Sequence, residues 1–228
     1  ILYMKQAGYD PQAAVELQEL FLKLSEGRQS SFIDGLFATH PPSAKRVQEN
    51  RELVQKIGAG GYRGRDVYQR RIAKLKELQP AYDAHDEAMK LASEGKYEAA
   101  LDQVNKAIKL EPREAMFFAL RGRIYRGMEQ PEKAKADFDK AVSLYPEMFQ
   151  YQLYSGLNEL ELNNLGKAKS HLEKANQVVP TSIAYLRLGD IARQQGQRRE
   201  AVAYYSTAAE AGGDVGAEAQ RKLAELNE

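Results

Sequence analysis

The sequence predicts an all-α fold, a superhelix of stacked antiparallel helix pairs, on three observations. Pro112, Pro146 and Pro180 recur at intervals of 34 residues. Small residues recur in the same phase at Ala88, Gly122 and Gly156, with Gly189 one residue early in a fourth copy. A large apolar residue recurs between two alanines: Val104 between Ala100 and Ala107, Phe138 between Ala134 and Ala141, Leu172 between Ala168 and Ala175, and Tyr205 between Ala201 and Ala208.

Each feature has a physical reason. Two short antiparallel helices cannot bury their apolar faces alone, so each pair must stack on the next, and small residues set how closely they approach. Proline lacks an N–H and restricts the residue before it, so it ends one pair and admits the next. Within each pair, Gly95, Gln130-Pro131, Asn163-Asn164 and Gly196 are suited to turning the chain between helices. Beyond Gly212-Gly213-Asp214, the segment Val215 to Leu226 places Ala219, Leu223 and Leu226 on one side, as a solvating cap would. The period and these positions together resemble the tetratricopeptide repeat. The resemblance implies four repeats over 81–211, a capping helix over 212–228, and a scaffold for binding other polypeptides.

The preceding residues differ in kind. Asp10-Pro11 marks a helix start, with Asp as N-cap and Pro at the first position, and Ala14, Leu17, Leu20, Phe21 and Leu24 form an apolar stripe that must pack on something. Residues 27–37 read as a loop, and Pro41-Pro42-Ser43 starts a second helix with Val47, Leu53, Val54 and Ile57 apolar. Gly58, Gly60, Gly61 and Gly64 suggest a flexible link. Tyr68, Ile72, Leu75 and Leu78 then share one side of a linker helix over 61–80.

The motifs Ala7-Gly8-Tyr9-Asp10-Pro11 and Thr39-His40-Pro41, with Arg46 beyond, resemble the HtpX-like and BepA-like zinc metallopeptidases over about residues 1–57. The resemblance implies that residues 1–60 are the last helices of a metallopeptidase domain in a longer parent protein, ending the helix that carries the third zinc ligand. It also implies zinc in the parent, a periplasmic or otherwise extracytoplasmic bacterial location, and a role in protein quality control. His40 would lie near that zinc as an extra ligand or gate, or else simply cap the following helix. Arg46 would pair with the catalytic domain or remain a solvated charge. The chain contains no H-E-x-x-H: His40, His85 and His171 are isolated, so it cannot build the three-ligand catalytic site by itself. A free-standing repeat adaptor with no link to proteolysis is the alternative.

Composition narrows the remaining classes. The 228 residues are 43% hydrophobic, enough to fold, and 33 Lys and Arg balance 32 Asp and Glu, so no overall charge argues for nucleic acid. Arg63, Arg65, Arg70 and Arg71 read as a solvated face. Absence of cysteine removes thiol nucleophiles, disulfides and Cys-ligated zinc. No apolar run reaches the roughly 18 residues that span a bilayer, and the start lacks a signal-peptide pattern. The fragment itself should need no cofactor.

The binding expectation falls on the inner, concave face, lined by the first helix of each repeat. It carries Tyr82, His85, Met89, Met116, Arg123, Arg126, Leu153, Leu157, Leu186, Asp190 and Arg193. Arg123, Arg126 and Arg193 could hold a carboxylate of an extended peptide while Met and Leu accept its apolar groups. Equally, the arginines could be solvated charge and the leucines packing residues. His85 and His171, lacking ligand-spaced partners, suit packing or surface roles.

Overall fold

Asp10 organises the start of the chain. Gly8 turns with φ +80°, and Asp10 then caps the next helix, its Oδ1 accepting from Gln12 N at 3.1 Å and from Gly60 N at 2.9 Å. Arg63 Nε donates to the other carboxylate oxygen at 2.6 Å, and its remaining nitrogens reach Glu16. Arg63 thereby holds the Asp10 carboxyl below its usual range, although burial opposes the shift. Backbone bonds complete the clasp: Tyr62 N donates to Gly8 O at 2.8 Å and Asp10 N to Tyr62 O at 3.3 Å. A Cβ at Gly61 would stand 2.6 Å from Tyr9 C, so only glycine fits where these two backbone segments touch. Of the glycines expected as a flexible link, Gly60 and Gly61 are instead held against residues 8–10.

The computed structural model describes residues 1–26 and 43–227. Its chain forms two units, Ile1–Ala73 and Lys74–Glu228. The first contains α1 (Leu2–Gln6), α2 (Gln12–Glu26) and α3 (Ala44–Ile57). Helices α2 and α3 pair around buried Val15, Val47 and Val54, with Asn50 donating to Gln18 at 2.7 Å and Arg51 to Glu19 at 2.8 Å. The expected α2 stripe is only partly used: Leu17, Leu20 and Leu24 are 42–50% exposed, and Val15, one step off that stripe, is the buried residue.

Helix α4 (Arg65–Ser93) runs through Pro80, which forfeits one helical hydrogen bond, and from Lys74 onward it belongs to the second unit. There follow α5 (Tyr97–Leu110), α6 (Ala115–Gly127), α7 (Pro131–Leu144), α8 (Phe149–Glu161), α9 (Leu165–Val178), α10 (Ser182–Gln194), α11 (Arg198–Ala209) and α12 (Gly213–Asn227). From α5 to α12 each helix packs on its sequence neighbour, as a solenoid requires, and Ala81, Ala84 and Ala88 of α4 share a core cluster with Ala100, Val104 and Ala107 of α5.

The repeated positions do what their chemistry predicts. The eight alanines at the two repeated second-helix positions, from Ala100 to Ala208, are fully buried, and the knobs Val104, Phe138, Leu172 and Tyr205 are at most 1% exposed. Three of the knobs fill the space a side chain would need at the glycine opposite: a Cβ at Gly122 would stand 2.6 Å from Phe138, at Gly156 2.7 Å from Leu172, and at Gly189 2.5 Å from Tyr205. The turns share a left-handed residue in matching phase, at Gly95, Glu129, Asn163 and Gly196. In the second repeat that residue is Glu129, just before the expected Gln130-Pro131; Pro131 instead opens α7, where its fixed φ suits a first helical position.

Helix α12 packs against α10 and α11 and stands where the first helix of a further repeat would. Arg187 pairs with Glu218 at 3.0 Å, Lys222 with Asp190 at 2.6 Å and Arg193 with Glu225 at 2.7 Å. Leu223 and Leu226 pack against the cluster of Leu186, Tyr205 and Ala219.

Candidate functional site

The first helices of the first three repeats, α4, α6 and α8, line a cleft of about 260 Å³. Met89, Met116 and Met148 enter it from the three repeats, joined by Leu120, Tyr151 and Tyr154. Met89 is 47% and Met148 38% exposed, so two unbranched, polarizable side chains offer themselves to solvent at one place. A second hollow, of about 230 Å³, shares Met89, Leu120 and Arg123 with the first and extends to Tyr97 and Gly127.

Arg123 sets the polarity of this surface. Its guanidinium lies 5.6 Å from the centre of the Tyr154 ring, a cation–π arrangement that holds the group over the cleft. Among the described residues it forms no salt bridge, so its donors remain available to an incoming carboxylate. Gln150 adds a side-chain oxygen that is shielded from solvent and without a hydrogen bond among the described residues.

Of the residues expected on the concave face, Met89, Met116, His85 and Arg123 come together here. His85 is buried, its Nδ1 3.0 Å from Asp86 and its ring packed on Phe117. The others are engaged within the chain. Arg126 is bound to Glu161 of the next first helix. Arg193 holds Glu225. Asp190 accepts from Lys222, Arg187 and the Tyr205 hydroxyl; burial pushes its pKa up, but these three donors together bring it below the usual value. Tyr82 donates to Glu114 at 2.9 Å and meets Phe117 edge-on. Leu153 and Leu157 pack on the core cluster of Leu172, Leu188 and Ile191, and Leu186 is fully buried. His40 lies outside the described residues. Arg46 is exposed, its backbone N–H capped by Ser43.

Met148, Gln150, Tyr154 and Tyr97 are cleft residues that sequence reasoning missed. Phase could have found Gln150, which follows Tyr82 and Met116 at the same 34-residue interval. Tyr154 likewise follows Leu120.

Comparison with known proteins agrees with this architecture. Residues 117–148 and residues 186–228 each match the tetratricopeptide repeat family, and both matches fall in the second unit. Among solved structures, the first repeat domain of Spaghetti (RPAP3), bound to the HSP90 peptide SRMEEVD, is 23% identical with a TM-score of 0.51, over 52% of this chain and 94% of that one. MamA is 18% identical with a TM-score of 0.55, over 65% and 86% of the two chains. YrrB, described as a repeat protein with an unusual peptide-binding site, is 24% identical with a TM-score of 0.54, over 63% and 73%. At such identities the likeness is one of fold. With two matched repeats, phased small residues and knobs, and sequentially stacked helix pairs, the second unit is a tetratricopeptide repeat domain.

Proposed function

We propose that the repeat domain captures an extended polypeptide across α4, α6 and α8, with an apolar side chain in the methionine-lined cleft and an acidic group against Arg123. The observation that carries this reading is the coincidence of an open apolar cleft with an unpaired guanidinium at its edge, while Arg126 and Arg193 already hold carboxylates. The peptide bound to RPAP3 and the peptide site of YrrB lend support, since both occur on the same fold. Peptides selected from a random library and labelled with fluorescein test it by anisotropy. Arg123→Glu should weaken their binding at least tenfold, as charge-assisted hydrogen bonds are exchanged for repulsion; equal affinity would remove Arg123 from the site.

We also propose, from the resemblance, that residues 1–57 are the tail of a zinc metallopeptidase domain and that the array recruits substrates or an assembly machine to it, in an extracytoplasmic compartment. The feature favouring this is the Ala7 to Pro11 motif: its Gly8 and Asp10 are fastened to residues 60–63, as befits the edge of a larger domain. No group of three or more His, Cys, Asp or Glu among the described residues could hold a metal, so the described residues do not fit a catalytic zinc. That ion belongs, on this reading, to the parent protein. The coding sequence upstream of Ile1 decides the matter: H-E-x-x-H there supports it, and its absence leaves the free-standing adaptor.

A further inference from the structure

Between the second helices of the last two repeats, α9 and α11, lies a hollow of about 280 Å³ that neither reading uses. Tyr185 of α10 and Tyr204 of α11 line it, their ring centres 6.3 Å apart and their planes tilted by 33°. Both residues are half-buried, so each keeps part of its surface open to solvent. Glu173 and Asn176 of α9 face the same space.

Glu173 sets the sign of the hollow. Among the described residues its carboxylate forms no salt bridge and no hydrogen bond. Lys169, one turn earlier, is taken by Glu200 at 3.3 Å, and Lys174, the next residue, is exposed and acts on His171. Two acids and one lysine act on the Tyr204 phenol: burial raises its pKa, Lys169 opposes the rise, and Glu173 and Glu200 add to it. Asn176 supplies a second unmet group. Its Oδ1 accepts from Thr181 N at 2.9 Å and from the Thr181 hydroxyl at 3.3 Å, while its Nδ2 is shielded from solvent and has no acceptor among the described residues.

These features call for one kind of guest. An aromatic face attracts a cation, a free carboxylate takes two parallel N–H bonds from a guanidinium, and a shielded amide donor is satisfied by a carbonyl. Arginine within a polypeptide brings all three: a planar cation that lies flat against a ring, a fork for the carboxylate and a main-chain carbonyl close by. Lysine, a compact and strongly hydrated charge, stacks less well and has no fork. We propose that this hollow binds an arginine side chain of a basic polypeptide segment, with the guanidinium against Tyr185 and Tyr204 and paired with Glu173. The site is separate from the methionine cleft, which first helices line and which takes the opposite charge, and it does not rest on that reading.

The test is fluorescence anisotropy of the whole chain with fluorescein-labelled Gly-Ser peptides that carry several arginines, lysines or citrullines, the last a neutral isostere of arginine. The arginine peptide should bind saturably and lose affinity as salt rises. The lysine peptide should bind severalfold more weakly, and the citrulline peptide at least tenfold more weakly. Glu173→Gln should weaken the arginine peptide about tenfold with an unchanged urea midpoint, since no partner within the fold is lost. Tyr204→Leu should weaken it roughly fivefold, whereas Tyr204→Phe, which keeps the ring, should preserve it. Arg123→Ala, at the other site, should leave it unchanged. No saturable binding of the arginine peptide, equal binding of the lysine or citrulline peptide, or indifference to Glu173→Gln would each overturn the proposal.

Discussion

The same substitution, glycine to alanine, should change sign between two sites only ten residues apart. Gly156 lies inside α8, where alanine would ordinarily stabilise by about 1 kcal/mol through helix propensity. Its added Cβ, however, would stand 2.7 Å from Leu172 Cγ and 2.8 Å from Cδ2, with Leu172 N at 3.2 Å. Carbon atoms prefer roughly 3.5–4.0 Å, so about 1 Å must be found. Leu172 is fully buried and cannot swing away. Overpacking of this kind costs about 1–3 kcal/mol, which outweighs the propensity gain and leaves a net loss of up to about 2 kcal/mol. Gly166, in α9, has nothing within 4 Å of the equivalent point, so Gly166→Ala should stabilise by about 0.4–1 kcal/mol. Urea titrations followed by circular dichroism measure both. Combining Gly156→Ala with Leu172→Ala should recover more than 1 kcal/mol relative to additivity, since the new methyl then enters the space the leucine left. Stabilisation by Gly156→Ala alone, or additive behaviour of the pair, would refute the argument that small residues set the helix spacing.

Other consequences follow from the same geometry. Arg121 donates to both oxygens of Asp137, whose side chain is 6% exposed, so Arg121→Ala should cost about 3–5 kcal/mol by stranding a buried carboxylate. Arg123→Ala, two residues on but without a carboxylate partner, should cost under about 1 kcal/mol in the same titration. Burial, with Lys174 nearby, lowers the His171 pKa, so the folded state favours the neutral imidazole. Its contribution is complete above about pH 6.5 and lost as the pH falls through the lower folded value; His171→Gln should flatten the decline in stability between pH 7 and 5, and an unchanged slope would exclude it. Glu129 turns the chain with φ +59°, so Glu129→Gly should raise stability by up to about 1 kcal/mol, read as a higher urea midpoint.

The repeat was legible because its determinants are periodic. Ala100, Phe138 and Gly156 announce their roles through recurrence at a fixed interval, and each sits where that recurrence requires. The groove was less legible because a charged residue's availability depends on partners a repeat away. Nothing near Arg126 in sequence identifies Glu161, 35 residues on, as the group that occupies it, and Arg193 and Glu225 have the same relation at 32. Arg123 looks like both of them in sequence and differs only in lacking such a partner. In the first unit, the apolar stripe of α2 is only partly covered, with Val15 beside it taking the buried position, and the pairs Asn50–Gln18 and Arg51–Glu19 that join α2 to α3 form between residues 32 apart. The Asp10 clasp escaped notice for the same reason: it joins a cap to backbone 50 residues later.

The five methionines provide the most direct test of polypeptide capture at the cleft. With methyl-labelled methionine, a selected peptide titrated into the protein should shift the resonances of Met89, Met116 and Met148 together, in a saturable manner, and leave Met4 and Met128 in place. Shifts confined to Met4 or Met128, or a bound peptide that moves none of the three cleft methyls, would contradict the assignment.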